Sequence, residues 1–334
     1  MIPRTTNRQQ PAAWQEQLGC CITDVETLWS RLRLPPELLP AARAAARQFG
    51  LRVPPAFVAR MRPGDPEDPL LRQVLPLGAE LETVPGFVAD PLREAQAMPV
   101  PGLLHKYRGR VLLTLTGACA VHCRYCFRRH FPYTQANPGH AHWPATLAYI
   151  RADSSIHEVI FSGGDPLSLS DTRLSAMAAE LDAIPHLDSL RLHTRLPVVL
   201  PERVDDCLIE WLSVRRLHPV LVIHCNHPRE LDGDVAAALE RLRHAGVTLL
   251  NQSVLLAGVN DRPEILEALS RQLFDCGVLP YYLHQLDPVQ GAAHFGVDDR
   301  HARELEKQLR NRLPGYLVPR LVREQAGEAA KQPL

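Results

Sequence analysis

Three of the eight cysteines crowd into one short stretch, as Cys119, Cys123 and Cys126 in CAVHCRYC. Thiolates are soft metal ligands, and three on so tight a loop can wrap a single inorganic centre. A structural zinc wants four ligands in a closed tetrahedron, which His122 or His130 could complete. A 4Fe–4S cluster ordinarily takes four cysteines. With three, one iron keeps an open corner where a substrate or cofactor can be held and reduced. On residue chemistry alone both readings stand. Cys20, Cys21, Cys207, Cys225 and Cys276 are scattered and need no special reading. The primary amine is a second scarce resource, since the only lysines are Lys106, Lys307 and Lys331. Lys307 lies in the charged stretch ARELEKQL and reads as a surface residue. Lys331 sits in a Gly/Ala/Gln tail of the kind that is usually solvated.

The elements that must position these residues begin near Val111. Short apolar runs recur as VLLTLT from 111, HEVIFSG from 157, SLRLHT from 189, PVLVIHC from 219, VTLLNQSVLL from 247 and LPYYLHQL from 279. Spacing of about thirty residues leaves room for a helix in each gap. Leu174, Met177, Leu181 and Ile184 share one helical face, as do Val235, Leu239 and Leu242, and Ile265, Leu269 and Leu273. Gly246 and Gly277 stand where helix C-caps belong, and Pro263 where a first-turn proline belongs. The alternation predicts an α/β fold with a parallel sheet and outer helices, either an open doubly wound sheet or an incomplete barrel of six units. Both gather ligands at the carboxyl ends of the strands. Polar segments fall at those ends: the cysteine cluster, then Ser162-Gly163-Gly164-Asp165, His193-Thr194-Arg195, His224-Cys225-Asn226-His227-Pro228 and His284-Gln285-Leu286-Asp287. Five strand ends converge on one rim, where the active site is expected.

The Cys119-x3-Cys123-x2-Cys126 spacing, directly after the first strand of a repeated βα pattern, resembles the radical S-adenosylmethionine superfamily. That resemblance implies an incomplete (βα)6 TIM-type barrel and a 4Fe–4S cluster on the three cysteines. It also implies S-adenosylmethionine at the open iron, cleaved by one electron to a 5′-deoxyadenosyl radical. It places Tyr125 near the adenine, and it makes Ser162, Gly163, Gly164 and Asp165 a version of the superfamily's Gly-Gly-Glu-Pro-type loop. Within the superfamily, CRYCFRRHF, SGGDPL, HCNHPRE, NQSVLLAGVND and PYYLHQLDPVQGAAHF resemble, in order and spacing, the lysine 2,3-aminomutases. The match runs from about His105 to the C-terminus. It implies pyridoxal 5′-phosphate bound to Lys331, with Arg110 on its phosphate and Lys106 and Tyr107 as weaker candidates on the same segment. Arg128 would hold the substrate carboxylate, Asp287 and Glu324 its side-chain ammonium, and His224 and Gln252 would face S-adenosylmethionine. Two departures are visible: Lys331-Gln332-Pro333 replaces the common Lys-Thr-Pro, and longer family members continue well past this lysine.

The expected reaction is the conversion of L-lysine to β-lysine by a radical 1,2-amino shift. The wording of the HPRE and YYLHQLDPVQGAAHF segments resembles the bacterial subgroup that supplies β-lysine for elongation factor P, attached by a lysyl-tRNA-synthetase-like ligase. An external donor such as flavodoxin or ferredoxin would provide the electron. Competing readings are an aminomutase for another amino acid such as glutamate, a radical enzyme without pyridoxal phosphate, and a zinc-binding adaptor. The balance of 37 basic and 37 acidic residues speaks against bulk electrostatic binding of nucleic acid or membrane. No apolar run approaches the ~18–20 residues of a spanning helix. The opening MIPRTTNRQQPAAW lacks a signal-peptide core, so a cytoplasmic protein is expected. Residues 1–105 are expected as a helical and irregular extension. In it, the Pro- and Gly-rich part from Arg62 to Pro101 wraps over something larger and carries no catalytic signature. Residues 106–334 are expected as the partial barrel, with a C-terminal segment that binds pyridoxal phosphate.

Overall fold

In the computed structural model, residues 13–133 and 139–334 are described. Among the described residues nine strands form one sheet: β1 Leu103–Tyr107, β2 Arg110–Thr114, β3 Glu158–Ser162, β4 Ser189–Thr194, β5 His218–Ile223, β6 Thr248–Val254, β7 Leu279–His284, β8 Arg320–Arg323 and β9 Gln332–Pro333. They lie side by side in chain order. Strands β2 through β8 run parallel, while β1 and β9 pair antiparallel at the two edges. A doubly wound sheet reverses its strand order at a switch point; this one never does. Side chains from β2, β3, β4, β6 and β7 line one cavity together with Glu324 and Lys331. Such convergence requires the sheet to curl, and among the described residues β1 and β9 find no pairing that would close the wall. The architecture is an α/β partial barrel.

The six expected strands are β2 to β7. The other three are short or highly polar, and their partners supply what local pattern does not. β1 pairs with β2 across Arg108-Gly109, where Gly109 takes φ 80°. β8 buries only Leu321 and Val322, and β9 is the segment that follows Lys331.

Crossover helices pack as the periodicity predicts. Asp232 caps Gly233–His244 by accepting from Val235 N–H at 3.0 Å, and that helix buries Val235, Leu239 and Leu242. Leu174, Met177, Leu181 and Ile184 are all buried. In Pro263–Asp275 the core face is Leu266, Leu269 and Leu273, and Ile265 is only half-buried, one position off the expected stripe. Gly246 and Gly277 do follow helix ends, with φ of 81° and 74°.

Residues before β1 form the helices Ala13–Gly19, Val25–Leu32 and Leu39–Gln48, followed by single turns. Trp14, Leu28, Trp29, Phe57 and Leu70 belong to the same buried cluster as Val111, Phe161, Leu190 and Leu221 of the sheet. A smaller cluster lies where Asp299–Arg312 covers β7 and β8. Among the described residues no helix is long and apolar enough to cross a membrane.

Candidate active site

The loop after β2 carries the three cysteines, and its shape is set by backbone contacts with the loop after β3. Gly164 N–H donates to Thr116 O at 2.6 Å and Asp165 N–H to Ala118 O at 2.8 Å. A Cβ on Gly164 would meet Ala118 O at 2.4 Å, and one on Gly163, whose φ is 118°, would meet Thr116 O at 2.6 Å. These glycines therefore allow two backbones to touch. Asp165 is buried, and its carboxylate is filled: Oδ1 accepts from Thr194 Oγ1 at 2.6 Å and Leu167 N–H at 3.1 Å, Oδ2 from Arg195 N–H at 2.7 Å and Leu196 N–H at 3.2 Å. It ties the ends of β3 and β4 together, and Asp165 still lines the cavity that holds the cysteines. Ser162, Gly163 and Gly164 line the cavity beside the cysteines.

Cys119, Cys123 and Cys126 share that cavity with Tyr125, His224, Gln252 and Asp287. Burial pushes the Cys119 thiol well up and the Cys126 thiol up to about 11. Uncoordinated, both are neutral at pH 7, and a bound cation would draw off their protons. His122 Nδ1 is bonded to Gly50 O at 2.8 Å, and His130 Nε2 to Gln290 O at 3.3 Å. Among the described residues no three His, Cys, Asp or Glu side chains converge as a single ion requires. A polynuclear cluster, whose ligands stand further apart, fits this donor set better than zinc does.

A second cavity opens beside the first and shares Arg128, Ser162, His193, His224, Gln252 and Glu324 with it. It contains Lys331 and Arg110, whose guanidinium lies 4.7 Å from the Tyr107 ring centroid. A chain of alternating charge crosses this space. Arg128 donates through Nε and Nη2 to Glu94 at 2.7 and 2.9 Å. Lys106 Nζ bridges Glu94 at 2.8 Å and Glu324 at 3.0 Å, and Lys331 Nζ reaches Glu324 Oε2 at 2.6 Å. Burial would raise the Glu324 carboxyl, but Lys331 and Lys106 outweigh it and hold the group well below the usual range. At Asp287 burial and the neighbouring Glu324 outweigh the pull of Lys331 and Lys106 and raise the carboxyl to about 7. Its Oδ1 is buried and unpartnered, as are Nε2 of His193, His224 and His284. Burial lowers His224 to about 4, so its imidazole is neutral. An enclosed space ringed by unpaired acceptors and imidazoles is built for a polar ligand.

The two cavities thus bring together nearly every residue expected from the sequence. What sequence reasoning missed comes from elsewhere. Glu94, Gln73 and Glu80 lie in the irregular stretch that carried no signature, and each is buried against the site. Glu80 accepts from Arg124 at 2.5 Å and from Arg129 at 2.7 Å, both of them in the cysteine motif. No local pattern marks these three positions. Arg195 was visible at a strand end but had no assigned partner; its guanidinium reaches Cys123 Sγ at 2.8 Å and Tyr125 Oη at 2.6 Å.

No family model matches the chain. Individual relatives do. An L-lysine 2,3-aminomutase of Escherichia coli (strain K12) is 49% identical over 331 residues, covering 99% of this chain and 96% of that protein. One from Haemophilus influenzae is 48% identical, covering 99% and 98%. One from Clostridium subterminale is 36% identical over 96% of this chain and 77% of its own length. Likeness of this degree extends through the N-terminal hundred residues as well as the motifs, and the chain belongs to the L-lysine 2,3-aminomutase family.

Proposed function

We propose that this protein converts L-lysine to β-lysine by moving the α-amino group to Cβ, with a 4Fe–4S cluster, S-adenosylmethionine and pyridoxal 5′-phosphate. The observation that carries the reading is the junction of two cavities, one holding three thiols and the other an amine, with shared walls between them. When bound, the cluster and S-adenosylmethionine supply a 5′-deoxyadenosyl radical, and pyridoxal phosphate supplies a π system that spreads an unpaired electron.

Cys119, Cys123 and Cys126 would hold the cluster, leaving one corner open. Tyr125, the 162–164 backbone, His224 and Gln252 would contact S-adenosylmethionine. Lys331 and Lys106 both line the inner cavity with Arg110; the family motif falls on Lys331, and its amine with the Arg110 guanidinium suits an aldehyde and its phosphate. Arg128 offers a guanidinium fork for the substrate carboxylate. Asp287 and Glu324 favour a cationic side chain, hence lysine over glutamate. Glu324 binds Lys331 directly and so fixes where its amine stands in the inner cavity. Tyr125, Leu256, Leu286, Val289 and Phe295 form an apolar wall that keeps water from reactive species.

The finer reading concerns use. We assign the β-lysine product to the modification of elongation factor P by a lysyl-tRNA-synthetase-like ligase, in the cytoplasm, with a flavodoxin- or ferredoxin-type electron donor. The motif wording described above supports it.

Anaerobic reconstitution followed by product analysis tests the activity. Wild-type protein is expected to carry iron, sulfide and an imine absorption, and to form β-lysine from L-lysine. Lys331→Ala is expected to keep iron and sulfide while losing both imine band and turnover. Full turnover in that variant would favour a radical enzyme without pyridoxal phosphate, and zinc in place of iron would favour an adaptor.

A further inference from the structure

Arg195 is fully enclosed, yet its guanidinium serves a task that packing does not require. Its backbone N–H is fixed by Asp165 Oδ2 at 2.7 Å, which sets where the side chain departs from β4. Nη2 donates to Gln73 Oε1 at 2.7 Å and Glu230 Oε2 at 3.0 Å. Nη1 donates to Tyr125 Oη at 2.6 Å and to Cys123 Sγ at 2.8 Å. Glu230 is held in turn by Asn226 N–H at 3.0 Å and Gln73 Nε2 at 3.0 Å. One buried cation therefore leans on a cysteine sulfur, with one buried anion behind it.

We infer that Arg195 is a positioning residue that sets the reduction potential of the cluster held by Cys119, Cys123 and Cys126, with Glu230 as its counterweight. The inference rests on the cluster assigned above. A 4Fe–4S cluster takes one electron in passing from the 2+ to the 1+ state, here from a reduced low-potential donor protein of the flavodoxin or ferredoxin class, which is oxidised by one electron. No bond is made or broken in that step, and the added negative charge spreads over iron and sulfur. Hydrogen bonds to those sulfurs and net local charge are the protein's means of setting the potential. A guanidinium donating to the Cys123 sulfur favours the reduced state. Glu230 opposes it from the far side of the same guanidinium, so the two residues predict shifts of opposite sign.

The test is an anaerobic redox titration of the reconstituted protein, followed by the electron paramagnetic resonance of the reduced cluster, with iron and sulfide measured on the same samples. Arg195→Gln is expected to lower the midpoint by about 59 mV, a tenfold change in the one-electron equilibrium. Glu230→Gln keeps the side-chain shape and is expected to raise it by a similar amount. Arg195→Lys keeps the charge and is expected to fall between wild type and Arg195→Gln. General loosening of the site would not produce shifts of opposite sign. Should Arg195→Gln fail to assemble a cluster, the Glu230→Gln and Arg195→Lys potentials decide the matter. Unchanged midpoints in loaded variants, or shifts of the same sign, overturn the inference while leaving the proposed function intact. A wild-type protein that binds no 4Fe–4S cluster overturns both.

Discussion

Asp287 and Glu324 end up in different charge states although both are buried carboxyls facing one space. Glu324 has two ammonium partners and stays ionised, whereas Asp287, raised to about 7, is only partly ionised near neutrality. If both receive the substrate's ammonium, affinity depends on Asp287 having lost its proton. A group with a pKa near 7 is neutral below that pH and anionic above it, so kcat/KM for lysine is expected to rise with pH through about 7. Asp287→Asn should flatten that limb. At pH 8 the variant should show a KM about 30-fold higher, from the ~2 kcal/mol typical of removing one member of a buried charge pair. At pH 6 the gap should narrow, because wild-type Asp287 is then itself protonated. Steady-state kinetics across pH 6–9 would check all three.

The two loops that end β2 and β3 act as one element, because the backbone of one fills the space where the other's side chains would be. Gly164→Ala puts a methyl carbon 2.4 Å from a backbone oxygen, which cannot swing aside as a side chain could. We expect a loss of about 1–3 kcal/mol in urea unfolding, together with a fall in bound iron as the cysteine loop is pushed outward. Gly233→Ala is the contrast. Nothing lies within 4 Å of a Cβ built there, the site opens a helix, and the same substitution should raise stability by about 0.4–1 kcal/mol. Equal effects at the two glycines would mean that loop contact does not hold the cysteines.

Over the whole molecule, residues 13–100 share one buried core with the sheet and reach the site through polar side chains. Glu80 is the hinge of that attachment, since it faces the fully buried Arg124 and also Arg129. Glu80→Ala leaves two buried cations uncompensated and should cost about 3–5 kcal/mol, read as a lower urea midpoint. Because Trp14 and Trp29 share one apolar cluster with the sheet, their fluorescence and the backbone circular dichroism should fall in a single transition in both proteins. Two separated transitions would show that the N-terminal helices fold as a unit of their own.

Sequence determined what is local or repeated. Spacing of three thiols, alternation of strand and helix, glycines after helix ends and the apolar helical stripes are all short-range consequences of ligand size or backbone geometry, and β2 to β7 follow from them. The resemblance of motifs in order supplied the cofactors and the assignment of Lys331, which its own surroundings in the chain would not suggest. Tertiary structure decided the rest. β1, β8 and β9 are too short or too polar to declare themselves and exist because a neighbour supplies their hydrogen bonds. Glu94, Gln73, Glu80 and Arg195 become part of the site through partners tens to more than a hundred residues away. The charge states of Asp287 and Glu324 differ because burial and distance to two lysines differ. Those are properties of a packed interior, which no stretch of sequence contains until the chain has closed around it.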